Sequence, residues 1–204
     1  MNADASHTTV VILAAGASKR MGTPKQLLEW SENNTLLGHA VVTAMRINPL
    51  EVIVVLGAFY EQIKNELKDL SITILKNEEW RSGLGTSIAC AAEYILESPE
   101  KISNIIITLS DQPFITAEYL NSMCSEFVPN EKCIIASSYQ NRAFGVPAIF
   151  DISYLKELTE LHDDYGARNL LKKHEPFIKT LKPPRENPDI DTPEDYKNNF
   201  NSNF

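Results

Sequence analysis

Residues 8–28, TTVVILAAGASKRMGTPKQLL, decide how this chain folds. Residues 10–13 are aliphatic and mostly β-branched, a pattern typical of a strand that is buried on both faces. Five small residues follow at positions 14–18, and they would let backbone N–H groups approach an anion closely. Arg20 and Lys25 then offer a planar guanidinium and a compact ammonium to phosphate oxygens. The stretch therefore predicts a strand followed by a phosphate-binding loop.

The rest of the chain alternates between strand-like and helix-like segments. Strands are predicted at 51–56, 72–75, 104–109, 133–136, 147–150 and 177–181, and helices at 36–47, 59–70, 87–96, 117–127, 153–161 and 167–174, with a last helix starting at 191–195. This alternation predicts an α/β three-layer sandwich around a mostly parallel, mixed sheet of Rossmann-like type. We expect one domain over residues 1–204, with a core at about 8–197 and frayed termini that include 198–204.

The position of the site follows from the predicted sheet. Ligands of open α/β sheets bind beyond the carboxyl ends of the strands. We therefore expect the site near the loops that follow Leu13, Leu109 and Phe150, and near the segment that leads to Asp191.

Composition excludes several classes of function. The net charge of -8 argues against a general nucleic-acid binder. Residues 1–7 lack an apolar core and no stretch has the length of a membrane span, so we expect a cytoplasmic protein without a signal peptide or membrane contact, and a monomer. Cys90, Cys124 and Cys133 form no C-x-x-C pair, and we expect them to be buried thiols. The histidines, at 7, 39, 162 and 174, lack the spacing of zinc ligands.

Two acidic segments could supply a metal site. T-L-S-D-Q-P at 108–113 places Asp111 directly after an apolar strand, and D-I-D-T-P-E-D at 189–195 contains Asp191. Either segment alone is also explained as a turn or as an acidic helix N-terminus that the helix dipole favours. Together they would supply the hard oxygen ligands that Mg²⁺ prefers.

The string L-A-A-G-x-S-x-R-M-G-x-P-K at 13–25 is specific. It matches neither the Rossmann nor the P-loop fingerprint, since Gly16 and Gly22 lack the required spacing. It resembles the signature of nucleotidyltransferases of the nucleoside-diphospho-sugar transferase fold, in particular the MobA-like molybdenum cofactor cytidylyltransferases. Further similar motifs follow in the family's order up to about residue 196: N-x-x-W-x-x-G-L-x-x-S at 77–87, G-V-P-x-x-F at 145–150 and D-Y-G-A-R at 164–168. Asp163 stands where the family usually has glycine.

The resemblance implies a role for specific residues. Arg20, Lys25 and Asp111 would be catalytic, and Asp111 and Asp191 would hold Mg²⁺, with Mn²⁺ as an alternative. The implied nucleotide-binding residues are Leu13, Ala14, Ala15, Gly16, Ser18, Arg20, Lys25, Asn77, Gly83, Ser87 and Ser110. The implied acceptor-binding residues are Gln112, Pro113, Gly145, Pro147, Gly166 and Arg168.

The implied reaction is attack by the terminal phosphate of molybdopterin on the α-phosphorus of CTP. Pyrophosphate would leave, and the molybdopterin cytosine dinucleotide would pass to a molybdenum hydroxylase such as xanthine dehydrogenase through a transient contact. Guanylyl transfer to the same cofactor, transfer to a sugar or methylerythritol phosphate, and a non-catalytic cofactor carrier remain open. The cytidylyl branch is favoured by four motifs together: Pro24-Lys25, where the guanylyl branch typically has Asp-Lys, and the segments 111–113, 145–147 and 166–168. The two aspartates favour an enzyme over a carrier.

Overall fold

A computed structural model describes residues 5–31, 34–97, 101–139 and 144–200 of the chain. Its strands are β1 (Thr8–Leu13), β2 (Glu29–Ser31), β3 (Asn34–Thr35), β4 (Glu51–Leu56), β5 (Thr73–Lys76), β6 (Asn104–Leu109), β7 (Ile134–Ser138), β8 (Phe144–Asp151) and β9 (Ile178–Leu181). Its α-helices are α1 (Leu36–Met45), α2 (Tyr60–Leu67), α3 (Leu84–Leu96), α4 (Ala117–Glu126), α5 (Leu155–Thr159), α6 (Arg168–Lys173) and α7 (Pro193–Phe200). Single 3₁₀ turns lie at Lys25–Leu27, Trp80–Ser82, Ile152–Tyr154 and Glu175–Phe177.

The main sheet has seven strands in the order β5-β4-β1-β6-β8-β7-β9. β1 pairs in parallel with both β4 and β6, and all six of its residues are buried. This confirms the predicted α/β fold with a mostly parallel, mixed sheet. Because Leu13 pairs with Leu109, the loops that follow β1 and β6 leave the sheet side by side.

One expectation about the site is wrong. β8 runs antiparallel to its neighbours β6 and β7, and it pairs Asp151 with Asn104 at the amino end of β6. The loop after Phe150 therefore lies at the opposite edge of the sheet from the loops after Leu13 and Leu109. The start of β8, at Phe144 and Gly145, lies at the site edge instead, because an antiparallel strand exchanges its two ends.

Two hydrophobic layers cover the sheet. Side chains alternate between faces along a strand, so Val10 and Ile12 face the layer of α1, α2 and α4, whereas Val11 and Leu13 face the layer of α3, α5 and α6. These β1 side chains are at most 4% exposed. Burying an aliphatic side chain of this size stabilises a fold by about 1.5–3 kcal/mol. The apolar side chains of β1 thus pack against both layers, and this packing stabilises the strand from which the loop begins.

A third apolar cluster forms around Trp30, which is fully buried. Trp30 lies on the β2–β3 hairpin, which the sequence patterns did not predict, and its ring contacts Phe114 and Phe200 at centroid distances of 5.6 and 6.1 Å. Because of this contact α7 continues to Phe200, so the fraying expected from residue 198 is not seen at 198–200. Residues 1–4 and 201–204, where fraying was also expected, lie outside the described residues.

The three cysteines, all expected to be buried, differ in their burial. Cys133 is buried as expected, but Cys90 and Cys124 are only partly buried. Burial raises the pKa of the Cys124 thiol to about 11 and also raises that of Cys90, so both thiols are protonated near neutral pH.

Within the described ranges, no helix is both long enough and apolar enough to cross a membrane.

Candidate functional site

Two adjoining cavities open where β1 and β6 end. The first cavity, of about 670 Å³, is lined by residues of the loop after β1, by residues from the segment 80–87 and by Leu109, Ser110 and Asp111. The second cavity, of about 790 Å³, is lined by Gln112, by Tyr139 and by residues from the segments 144–146, 164–175 and 187–189. Leu84, Leu109 and Asp164 line both cavities. The two spaces therefore meet directly beside the acidic end of β6.

Most of the predicted nucleotide-binding residues lie together. Those that line the first cavity are Leu13, Ala14, Ala15, Gly16, Ser18, Lys25, Gly83, Ser87 and Ser110. Arg20 and Asn77 are not among its lining residues. Arg20 is 70% exposed and lies outside the cavity mouth, against the carboxylate of Asp191.

The loop after β1 presents its N–H groups to the first cavity. Gln26 Nε2 donates to the carbonyl oxygens of Ala14 and Gly16, both at 2.9 Å, and Ala58 N–H donates to Ala15 O at 3.0 Å. Within the described part of the chain, the N–H groups of Ala15 and Gly16 donate to no protein acceptor. A loop whose carbonyl groups are bound and whose N–H groups are free is suited to bind an anion.

Sequence reasoning assigned no role to Gln26. Its side chain is only 1% exposed, although it follows the charged Lys25. A neutral polar residue between this lysine and the apolar pair at 27–28 is the only signal in the sequence, and no spacing rule distinguishes it from a surface glutamine. The contacts that explain its burial exist only once the loop has folded back over it.

Lys25 brings together the two aspartates that were predicted as metal ligands. Its Nζ contacts Asp111 Oδ2 and lies 2.7 Å from Asp191 Oδ1, while Arg20 Nη2 lies 2.7 Å from Asp191 Oδ2. Burial lowers the pKa of Lys25, but the two carboxylates outweigh this and hold it above its ordinary value. Burial raises the pKa of Asp111, and the Lys25 charge offsets this only in part. Lys25 therefore carries a charge at neutral pH.

The acidic groups fit a magnesium ion that is shared with a substrate. Asp111 Oδ1 is a buried carboxylate oxygen without a hydrogen-bond partner in the described part of the chain. No cluster of three or more His, Cys, Asp or Glu side chains among the described residues could hold a metal ion by itself. Mg²⁺ in phosphate-binding sites is commonly held by one or two carboxylates together with phosphate oxygens and water. Asp111 and Asp191 fit that arrangement.

Backbone contacts fix Asp191 beside Asp111. Ile190 N–H donates to Asp111 O at 3.0 Å, and Ile190 is fully buried in the Trp30 cluster. Asp195 Oδ2 accepts from the N–H groups of Thr192, at 2.8 Å, and Asp191, at 3.3 Å. A segment about 80 residues from Asp111 in sequence is thus held against the end of β6 by packing and by the start of α7.

Five residues of the segment 80–87 form a wall of the first cavity, namely Trp80, Arg81, Gly83, Leu84 and Ser87, and Asn77 lies behind that wall. The Asn77 side chain is 4% exposed, and its Nδ2 donates to Thr86 Oγ1 and Ser87 Oγ at 2.9 Å. It orients Ser87, which lines the cavity, rather than lining the cavity itself. The exposed Arg81 guanidinium lies 4.3 Å above the Trp80 ring, and both residues line the cavity.

Gly83 allows the wall to touch the loop at 163–166. Its φ is +125°, and a Cβ atom there would lie 2.6 Å from Asp163 C and Asp164 N. Asp163, the departure from the family glycine, accepts hydrogen bonds from Tyr165 N–H at 2.9 Å and Asn169 Nδ2 at 3.0 Å. The aspartate therefore stabilises this loop through its own carboxylate.

The structure divides the predicted acceptor-binding residues. Gln112, Gly145 and Arg168 line the second cavity, whereas Pro113, Pro147 and Gly166 do not. The Pro113 carbonyl lies 3.0 Å from His39 Nε2, and the Pro147 carbonyl accepts from Ser137 Oγ at 2.7 Å.

Gly166 shapes the ridge between the cavities. Its φ is +56°, and a Cβ atom there would lie 2.9 Å from Leu84 Cδ2. The absence of a side chain lets Leu84, which lines both cavities, pack over it.

Several residues of the second cavity escaped sequence reasoning. They include three aromatic residues, Tyr139, Phe144 and Tyr165, together with the polar side chains of Lys172, Glu175, Asn187 and Asp189. Tyr139 Oη donates to Val146 O at 2.5 Å, and burial raises the pKa of Tyr139 to about 12. Tyr165 and Asp189 lie within the D-Y-G-A-R and D-I-D-T-P-E-D segments, where neither was assigned a role, and the other residues lie outside the quoted motifs. The set comes from separate parts of the chain, so no sequence signal grouped it.

Comparisons with known proteins give one family model and several similar solved structures. A family model described as a MobA-like NTP transferase domain matches residues 10–177. The solved structure of an Rv0371c homologue from Mycobacterium sp. strain JC1 is 30% identical, with a TM-score of 0.80 over 97% of this chain and 96% of that chain. Rv0371c from Mycobacterium tuberculosis H37Rv is 26% identical, with a TM-score of 0.82 over 97% and 98% of the two chains.

A curated relative matches only in part. The bifunctional protein GlmU of Francisella tularensis subsp. novicida strain U112 is 28% identical over 134 residues. This alignment covers 65% of the present chain and 28% of GlmU, so the chain spans well under two thirds of the curated relative's length.

Proposed function

The chain belongs to the MobA-like NTP transferase domain family and is a nucleotidyltransferase, and we propose that it transfers CMP from CTP to the terminal phosphate of molybdopterin. The observation that carries this proposal is the meeting of the two cavities at the end of β6. Asp111 lines the first cavity and Gln112, the next residue, lines the second. A nucleotide in the first cavity and a phosphate-bearing acceptor in the second would meet beside Lys25.

The proposed mechanism consists of positioning and charge neutralisation. The free N–H groups of the loop and the Lys25 ammonium would bind the triphosphate in the first cavity. A phosphate oxygen of the acceptor would form a bond to the α-phosphorus as the bond to the β-phosphate oxygen breaks, and pyrophosphate would leave. No general base is needed, because a phosphate monoester is already ionised near neutral pH.

Asp111 and Asp191 would hold Mg²⁺ or Mn²⁺. The ion, when bound, neutralises phosphate charge and orients the phosphate oxygens. The unpartnered Asp111 Oδ1 supports this assignment. Rv0371c has also been solved in complex with manganese, which supports the use of a divalent cation.

The lining of the second cavity supports a pterin acceptor. Tyr139, Phe144 and Tyr165 offer aromatic surface, which packs well against a planar ring. A sugar or methylerythritol phosphate, the alternative acceptors, presents hydroxyl groups and would make less use of three aromatic residues. The choice of CTP over GTP is supported only by resemblance, through Pro24-Lys25 together with the motifs at 111–113, 145–147 and 166–168.

The test is a turnover assay with separate nucleotides. Purified protein is incubated with Mg²⁺, molybdopterin and one of the four ribonucleoside triphosphates, and pyrophosphate and product mass are measured, with reactions that lack the acceptor as controls. We expect release with CTP and a cytosine dinucleotide product. Release with GTP alone would identify a guanylyltransferase. Nucleotide binding without release would contradict the pterin acceptor and favour another phosphate acceptor or a carrier.

A further inference from the structure

Gln26 links the two ends of the loop after β1 through one hydrogen-bonded network. Its Nε2 donates to Ala14 O and Gly16 O, both at 2.9 Å. Ser18 Oγ donates to Gln26 Oε1 at 3.3 Å and accepts from Lys25 N–H at 3.1 Å. The network therefore connects the beginning of the loop to the backbone of the cation at its end.

The orientation of the Gln26 amide is fixed by its partners. Both Nε2 hydrogens point at backbone carbonyl oxygens, which can only accept. A flipped amide would place Oε1 against those two oxygens and leave Ser18 Oγ facing an N–H₂ group. With 1% of the residue exposed, water cannot replace the lost bonds, so the flipped form carries the cost of buried unpaired polar atoms.

Peptide geometry transmits this orientation to the first cavity. In a planar trans peptide the C=O of one residue and the N–H of the next point in opposite directions. Binding the carbonyl groups of Ala14 and Gly16 toward Gln26 therefore turns the N–H groups of Ala15 and Ala17 away from it. Ala15, Ala17 and Gln26 itself are all lining residues of the first cavity, so the turned N–H groups and the amide that holds the loop border the same space.

We infer that Gln26 is a positioning residue, which aims these N–H groups and the neighbouring Lys25 at the phosphates of the bound nucleotide. The inference rests on the proposed binding of nucleotide phosphates by this loop. Both Nε2 hydrogens of Gln26 are engaged by loop carbonyl groups, so it acts by preventing the loop from turning those carbonyl groups toward the anion. Its removal is expected to weaken phosphate binding by more than its effect on stability explains.

Three substitutions separate these effects. Gln26→Leu keeps the volume and removes both donors. Gln26→Glu keeps the shape but sets a carboxylate against two carbonyl oxygens. Gln26→Asn retains an amide on a side chain one methylene shorter, which cannot reach both carbonyls. Asn104→Leu is the control, because Asn104 is a buried amide, 6% exposed, at the opposite end of the same sheet.

Binding is measured by calorimetry with magnesium and inorganic triphosphate, a probe that needs neither the base nor the acceptor. We expect the dissociation constant to rise about tenfold or more in Gln26→Leu and Gln26→Glu, less in Gln26→Asn, and not in Asn104→Leu. Urea unfolding of each variant measures stability in parallel. In turnover assays we expect Gln26→Leu to raise the KM for the nucleotide and lower kcat.

The outcomes distinguish the inference from the proposed function. Equal triphosphate affinity in wild type and Gln26→Leu, with both buried-amide variants losing similar stability, would make Gln26 structural only and overturn the inference. Wild-type protein that binds triphosphate, with Gln26→Leu weakened, but does not use CTP would contradict the proposed substrate and support the positioning role. Wild-type protein that binds no triphosphate would overturn both.

Discussion

The two cavities that meet at the end of β6 are built in different ways. The first cavity is lined largely by backbone and small side chains of continuous segments, above all residues 13–19. The second cavity is lined by larger side chains, among them Tyr139, Phe144 and Tyr165, from several separate segments. In the proposed function, the first surface binds groups that every nucleoside triphosphate carries, and the second binds one particular acceptor.

From this difference we expect the first cavity to determine the reaction and the second cavity to determine which acceptor is used. A backbone surface binds phosphate through N–H groups whose direction depends on loop geometry, so few substitutions change what it recognises. A side-chain surface can change one residue at a time without disturbing the sheet. We therefore expect changes in the first cavity to lower turnover for any acceptor, and changes in the second to alter acceptor affinity alone.

Replacement of Lys25 should have the largest effect. Lys25→Ala removes the ammonium that lies between Asp111 and Asp191 and faces the first cavity, and we expect kcat to fall about 100-fold or more. Pyrophosphate release under saturating substrates measures this. Lys19→Ala is the matched control, since Lys19 lines the same cavity and pairs with no carboxylate in the described part of the chain. Similar losses in both variants would contradict a specific role for Lys25.

Two glycines of the first cavity should differ in their effect on stability. Gly83→Ala forces a Cβ into the backbone of Asp163 at φ +125°, and we expect the free energy of unfolding to fall by about 2 kcal/mol or more. Gly16→Ala meets no atom within 4 Å, so a change below about 0.5 kcal/mol is expected. Urea unfolding compares the two. If Gly83→Ala lowers the free energy of unfolding as little as Gly16→Ala does, the segment around residue 83 can move away from the loop at 163–166.

A substitution in the second cavity should change the KM for the acceptor without changing the KM for the nucleotide. We expect Arg168→Ala to raise the KM for the acceptor about tenfold, through loss of a charge-assisted contact, and to leave the KM for the nucleotide unchanged. Initial rates with each substrate varied in turn measure both constants. Lys173→Ala, on the same helix but paired with Glu157, is the control. A parallel rise in the nucleotide KM would show that the cavities do not act separately.

The smallest effect is expected for Glu157, which anchors α6 to α5. Hydrogen bonds from His174 and Lys173 hold the pKa of Glu157 below its ordinary value. Stability from this group is therefore complete above about pH 4.5 and is lost as the pH falls through the lowered pKa. Because the side chain is 31% exposed, the free energy of unfolding of wild type should exceed that of Glu157→Gln by no more than about 1 kcal/mol. Urea unfolding between about pH 6 and pH 3 measures this difference in unfolding free energy, which should become smaller as the pH falls. A difference that stays constant over this range would contradict the ion pair.

Much of the fold could be predicted because its signals are local. The apolar run at 10–13 is buried on both faces, as its composition predicts, and the strand and helix alternation gives the mixed α/β sheet. The β2–β3 hairpin escaped prediction, since its strands are only three and two residues long. The direction of β8 also escaped, because a short apolar run looks the same in a parallel and an antiparallel strand.

The sequence by itself determined the loop after β1, for which we propose phosphate binding, since closely spaced residues of one segment line much of the first cavity. It also identified Asp111 and Asp191, whose residue types are suited to a divalent cation. Only the tertiary structure decided that these two aspartates share Lys25, that Gln26 donates to two carbonyl groups of the loop, and that Asn77 supports the wall. The second cavity was decided in the same way. These features depend on contacts between residues that are far apart in the chain or buried behind it, and packing of the complete sheet and its layers is what brings such residues together.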